Sequence, residues 1–268
     1  MRLVKLFLIV FLVKIVVAQK ETKKQNENSS GKPSSLVAPS GVDLFSLQMS
    51  AYKNALKYFD LQAASVALYQ AIALKPERTD LLDSLAYLYF TGERYGQVYL
   101  LGDEILKKDG KRNDIREMLA VSKQALNMPR EALEDYEKLY ASTKELQYLY
   151  QVASLQYQLK RYGECIASLD AIISNPEADK KQINIKNQDG GSQNVPMKAA
   201  AYNVKGICAL EVNQIEAAKN NFNEALKIFP EFVLARNNLN YANQLEKNTA
   251  SNQPQNKPSS TPANQQKK

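Results

Sequence analysis

Two side chains in this sequence are thiols, Cys165 and Cys208, and none is an imidazole. Histidine is the side chain whose ordinary pKa lies near neutrality, so most proton-transfer catalysis depends on it. Its absence excludes Ser-His-Asp and Cys-His nucleophile systems and every zinc site with an imidazole ligand. Carboxylate, lysine, tyrosine or lone-thiol chemistry is left. Adjacent carboxylates such as Asp103-Glu104 and Glu134-Asp135 lie within helical patterns and read as solvated helix faces. There is no phosphate-binding glycine loop, no metal-spaced cysteine cluster and no acidic calcium loop. The expectation is a protein without catalytic residues, metal, cofactor or small-molecule substrate.

Charge does not point to nucleic acid. The chain of 268 residues carries a net +7. Met1 to Ala18 contributes +3, Gln19 to Leu44 +1 and Glu246 to Lys268 +3, so residues 45–245 are neutral. A neutral central segment has no basic footprint for phosphates. The first residues, MRLVKLFLIVFLVKIVVAQK, have a positive start, an apolar run and Val16-Val17-Ala18 before Gln19. This pattern predicts a secretory signal peptide over 1–18. The run is short for a membrane span and Lys14 interrupts it, and an uncleaved membrane anchor is the alternative. No cysteine follows the cleavage point, which argues against a bacterial lipoprotein. The expected location is periplasmic or secreted, with a membrane contact only if the first segment stays uncleaved. Residues 19–43 and 248–268 are rich in Lys, Asn, Ser, Gln and Pro and read as a flexible linker and a disordered tail. Asn28-Ser29-Ser30 is a formal glycosylation sequon.

The elements between these ends are amphipathic helices with a recurring offset. NQIEAAKNNFNEALKIFPE (Asn213 to Glu231) places Ala218, Phe222, Ala225 and Pro230 as FDLQAASVALYQAIALKPE (Phe59 to Glu77) places Ala64, Leu68, Ala71 and Pro76. Aligned units begin near Phe45, Thr79, Asn113, Leu146 and Ala199, at lags of 34, 34, 33 and 53 residues. The eighth positions are Tyr52, Ala86, Ala120, Ala153 and Gly206. The twentieth are Ala64, Val98, Ala132, Cys165 and Ala218, and the twenty-seventh Ala71, Ile105, Leu139, Ile172 and Ala225. Two helices per period of about 34, with small residues where helices cross, resemble the tetratricopeptide repeat family over roughly 45–247.

That resemblance implies an all-α fold: a right-handed α-solenoid of about five helix pairs and a C-terminal capping helix over 233–247, eleven helices in all. The units span 45–78, 79–112, 113–145, 146–176 and 199–232, and residues 177–198 form an insertion. Short helices become stable by stacking on their neighbours. Pro129 suits the first position of a helix, where no donor is lost. Tyr52 at a small-residue site predicts an irregular first helix. Cys165 and Cys208 occupy small sites on helices that the repeat places side by side, so buried reduced thiols and a structural disulfide are both open. The insertion reads either as a passive disordered loop or as a binding element, with QINIKNQ able to order as a strand on a partner.

The resemblance also implies a concave groove lined by the first helix of each unit. Carried over by position, the lining includes Lys53, Asp83, Tyr87, Phe90, Glu117, Tyr150, Tyr157, Asn203 and Asn237. Aromatic side chains offer contact area at low entropy cost and suit an extended peptide. Chaperone-type members clamp a peptide carboxylate, but of the matching positions Met49, Lys53, Ser84, Asp114 and Met118 only Lys53 is basic. The implied function is a non-catalytic scaffold or adaptor of the bacterial cell envelope that binds a protein or peptide. The alternative is a membrane-tethered assembly factor or co-chaperone.

Overall fold

The computed structural model describes residues 43–186 and 190–251. The segments read as signal peptide and tail lie outside them, apart from the first residues of the tail, as do Asn28 and nearly all of the linker. Among the described residues there are eleven α-helices and one β-hairpin, and no helix is long and apolar enough to cross a membrane. The chain divides into two compact units, meeting in sequence between Leu159 and Lys160.

The first unit holds α1 (Leu44–Lys57), α2 (Leu61–Leu74), α3 (Asp80–Thr91), α4 (Tyr95–Lys108), α5 (Asn113–Ala125), α6 (Pro129–Thr143) and α7 (Leu146–Gln158). Each packs on the next in chain order, and α3 also touches α5. The small residues predicted at crossings are interior: Ala64, Ala71, Ala86, Ala120, Ala132 and Ala153 are buried. A methyl side chain lets two helix backbones approach, and the larger Leu68, Leu81, Ile115 and Tyr136 fill the space beside them. Pro129 opens α6, as its missing N–H requires. The expected irregularity of α1 is absent. It is one 14-residue helix capped by Asp43, and Tyr52 is accommodated by turning half out of the core.

The second unit holds α8 (Tyr162–Ile173), α9 (Met197–Glu211), α10 (Ile215–Ile228) and α11 (Val233–Ser251). α9 packs on α8, α10 and α11. Gly206 of α9 lies under the buried ring of Phe222 in α10; a Cβ there would sit 2.4 Å from Phe222 Cε1. α11 covers α10 and runs to Ser251, past the expected end at 247.

The insertion is ordered in its described part, against the reading of it as a passive disordered loop, and it adds strands to a fold expected to be all-α. β1 (Gln182–Lys186) pairs antiparallel with β2 (Ser192–Pro196). Ile185 and Val195 point inward and are buried, and Asn184 Nδ2 donates to Asn194 Oδ1 across the outer face at 2.9 Å. The alternation of Ile183, Ile185, Gln193 and Val195 about Gly190 at φ 88° is a hairpin pattern. Gln193 uses its whole amide: Nε2 donates to Glu231 O at 2.8 Å, and Oε1 accepts from Val233 N at 3.0 Å. The hairpin thereby fixes the turn that starts α11.

One turn geometry recurs. The fifteenth residue of every repeat, Phe59, Glu93, Asn127, Lys160 and Asn213, has φ between 55° and 61°. After α1, α3, α5 and α9 the next residue's N–H reaches back five positions, as in Asp60 N to Ala55 O at 2.9 Å and Gln214 N to Ala209 O at 2.8 Å. This closure satisfies the last helix carbonyls and favours glycine or asparagine at the left-handed residue. Only Asn127 and Asn213 comply, so the turn leaves little mark on composition.

Candidate partner-binding face of the first unit

The first helices of successive repeats place their polar side chains in contact. On α3, Asp83 and Tyr87 are four residues apart and share a face. Arg112, the residue before α5, forks onto Asp114 through Nε (2.9 Å) and Nη2 (2.7 Å) and reaches Asp83 Oδ2 through Nη1 (2.8 Å). Tyr87 Oη donates to Asp114 Oδ2 at 3.1 Å. The cluster ties α3 to α5. The Arg112 hydrogen bonds hold the Asp114 carboxyl below the usual carboxylate range. Burial and the neighbouring Asp114 charge push the Tyr87 phenol up to about 12, so it stays a neutral donor. One guanidinium serves two carboxylates, and the cluster is net negative.

A second contact continues the row. Tyr148 Oη, on α7, donates to Glu117 Oε2, on α5, at 3.0 Å. Burial raises both groups, with the Glu117 charge adding to the rise on Tyr148. Beneath them Asp135 is buried and held by Arg116 Nη1 at 3.2 Å and Lys123 Nζ at 2.6 Å. Asp135 therefore has a structural role, and the neighbouring Glu134 is exposed.

Of the residues expected to line a groove, Asp83, Tyr87 and Glu117 meet in this row, and Phe90 lies half-exposed on the same helix as Tyr87, edge-on to Tyr95. Lys53 is exposed on α1 and Tyr157 half-exposed on α7. Tyr150 is buried at 7% exposure, so its ring does not present a face to a ligand. Asn203 and Asn237 belong to the second unit. Asn203 is buried and accepts from Asn238 Nδ2 at 2.9 Å, whereas Asn237 is exposed.

Arg112 and Tyr148 were not expected in the lining, and Asp114 was matched there only to a carboxylate-clamp position that its charge does not suit. The sequence held one signal: Arg-x-Asp recurs at the repeat period, as Arg78-Thr79-Asp80 and Arg112-Asn113-Asp114, and each arginine forks onto its aspartate. Cys165 and Cys208, in the second unit, are buried reduced thiols, the Cys208 thiol donating to Cys165 Sγ at 3.4 Å. Among the described residues no group of Cys, Asp and Glu could hold a metal ion.

No protein-family model matches the chain, and no curated protein matches it. Solved structures do. YrrB, described as a TPR protein with an unusual peptide-binding site, matches over 71% of this chain and 89% of its own at TM-score 0.55 and 15% identity. A MamA protein matches over 69% and 92% at TM-score 0.53 and 13% identity. MamA from Desulfovibrio magneticus RS-1 matches over 71% and 98% at TM-score 0.52 and 12% identity. At such identities the likeness is one of fold. With paired helices at a period near 34, small residues buried at their crossings and these structural neighbours, the chain has the tetratricopeptide-repeat fold.

Proposed function

We propose that this protein is a non-catalytic interaction scaffold whose first unit binds an extended peptide across the first helices of its repeats. The observation that carries this reading is the Arg112-centred cluster. Asp83, Tyr87, Arg112 and Asp114 are fixed by one another before any partner arrives, so little side-chain entropy is lost on binding. Half-exposed Tyr87, Phe90 and Tyr157 add aromatic area to a polar row. The negative balance of the cluster favours a peptide bearing lysine or arginine, and the partner class is a basic segment of another protein. The fold is compatible with this use, since YrrB is described as having a peptide-binding site. The setting in the cell envelope rests on the apolar N-terminal run before Gln19.

A photocrosslinking residue at position 90, used in the protein's own host, is expected to trap one recurrent partner. Peptides from that partner are expected to bind less tightly, by about tenfold or more, to Tyr87→Ala and Tyr157→Ala chains, the loss per aromatic anchor being of the usual size. Unchanged affinity in both variants would remove the groove from the account. The setting is tested by the N-terminus of the protein isolated from the host: a mature chain starting at Gln19 supports export, and retention of Met1 supports a tether.

A further inference from the structure

α1 carries a second apolar stripe on the side away from its core contacts. Phe45, Met49, Tyr52 and Leu56 face the core cluster of the first unit. Leu44 (55% exposed), Leu47 (51%) and Ala51 lie within about one sixth of a turn of one another on a different face, and exposed Tyr58 (75%) follows at the C-cap. The third repeat position shows what this face does elsewhere: Leu81, Ile115, Tyr148 and Ala201 are all buried, and Leu47 alone is open. α11, the last helix of the second unit, is different: Arg236, Asn237, Asn240 and Gln244 are exposed there, with Tyr241 (44%) beside them. Terminal repeats normally carry a polar outer face. α11 follows that rule and α1 breaks it.

We infer that the α1 stripe is the contact by which a second copy of this chain docks, with the two α1 helices antiparallel about a two-fold axis. Three features select a second copy. The stripe holds no charged side chain, so identical faces meet without repulsion. Ala51 stands at the midpoint of the 14-residue helix, where an antiparallel two-fold pair crosses and a small residue allows close approach. Asp43 and Lys57 are 14 residues apart, about four turns, and flank the stripe on one side; antiparallel pairing sets each against the other's opposite charge. The outer face of α11 offers a lone tyrosine, Tyr241, and no apolar stripe to match that of α1 for head-to-tail growth. Two helices about 21 Å long bury less than the ~1,000 Å² of a stable interface, so the dimer is weak and concentration-dependent.

The test is cysteine crosslinking of the full chain and of the chain from Gln19, with Ala51→Cys on the stripe and Lys53→Cys off it, under a mild disulfide oxidant. Two thiols lose two hydrogens to the oxidant disulfide, which leaves as two thiols. Ala51→Cys is expected to give at least tenfold more covalent dimer than Lys53→Cys or the parent. Sedimentation over about a hundredfold concentration range should show weak self-association that Leu47→Glu lowers at least tenfold. Equal crosslinking at both sites, or no association in the parent, overturns the inference. So does dimerisation that appears only when residues 1–18 are removed, since the chain's own first segment would then be covering the stripe.

Discussion

One repeat from each compact unit uses the same two positions in opposite ways. In the second, the eighth and twenty-fourth positions hold Gly206 and Phe222: one side chain is removed so that a fully buried ring takes its place. In the first, the equivalent pair in the second repeat is Ala86 and Gly102, both small, and Leu119 and Ile115 of α5 approach Gly102 instead. The fifth repeat fills the crossing with an aromatic of its own second helix, as the third repeat does with Ala120 and Tyr136, whereas in the second repeat side chains of the next helix in the stack approach it. The second unit is further fastened by the hairpin through Gln193, while the first fastens α3, α5 and α7 by polar contacts that also form its exposed row. The repeat template thus prescribes where helices cross and leaves open what fills the crossing.

The contrast breaks most severely at Phe222. Phe222→Ala is expected to cost ~3–5 kcal/mol, because the ring is fully buried above a residue that has no side chain to relax into the cavity. Denaturant unfolding, with hydrogen exchange showing earlier opening of α9–α11, checks it. Gly206→Ala comes next. Its Cβ would lie 2.4–2.9 Å from three ring atoms, so overpacking of ~1–3 kcal/mol outweighs the better helix propensity of alanine. At Gly102 the sign reverses. A Cβ there meets Leu119 Cδ1 at 3.5 Å, an ordinary contact, so Gly102→Ala should stabilise by ~0.5–1 kcal/mol, measured as a raised denaturation midpoint. Equal responses of the two glycines would end the comparison.

The smallest effect sharpens it on the polar side. Burial raises the folded-state pKa of Glu117 above its unfolded value, so the folded protein binds that proton more tightly. This contribution is fully present below about pH 4.3 and is lost as pH rises through the raised value. Glu117→Gln keeps an acceptor for Tyr148 and removes the ionisation. The variant is expected to be a few tenths of a kcal/mol more stable than the parent near neutrality, with the difference fading in acid. Stability measured across that pH range decides it.

Much of the helical stack was legible. Ala64, Ala71, Ala120, Ala132 and Ala218 mark crossings because only small side chains permit them, and spacing exposes that requirement directly. The left-handed turns were not legible, because Phe59, Glu93 and Lys160 hold a conformation that composition usually marks with glycine. The hairpin could have been found, since Ile183, Ile185 and Val195 alternate about Gly190. The candidate face was read in part. Position along the repeat found Asp83, Tyr87 and Glu117, and it also nominated Tyr150 and Asn203, which are buried. Period gives the direction of a side chain from its helix, but not how far a neighbouring helix covers it.

Sequence by itself determined the helical period, the crossings, the missing imidazole chemistry and the two thiols. Those follow from residue type and spacing along one chain. Tertiary structure decided that Arg112 bridges Asp83 and Asp114, that Gln193 fastens the start of α11, and that Leu47 is open where its counterparts are buried. Each of these depends on distances between residues remote in sequence, and only the packed helices set those distances.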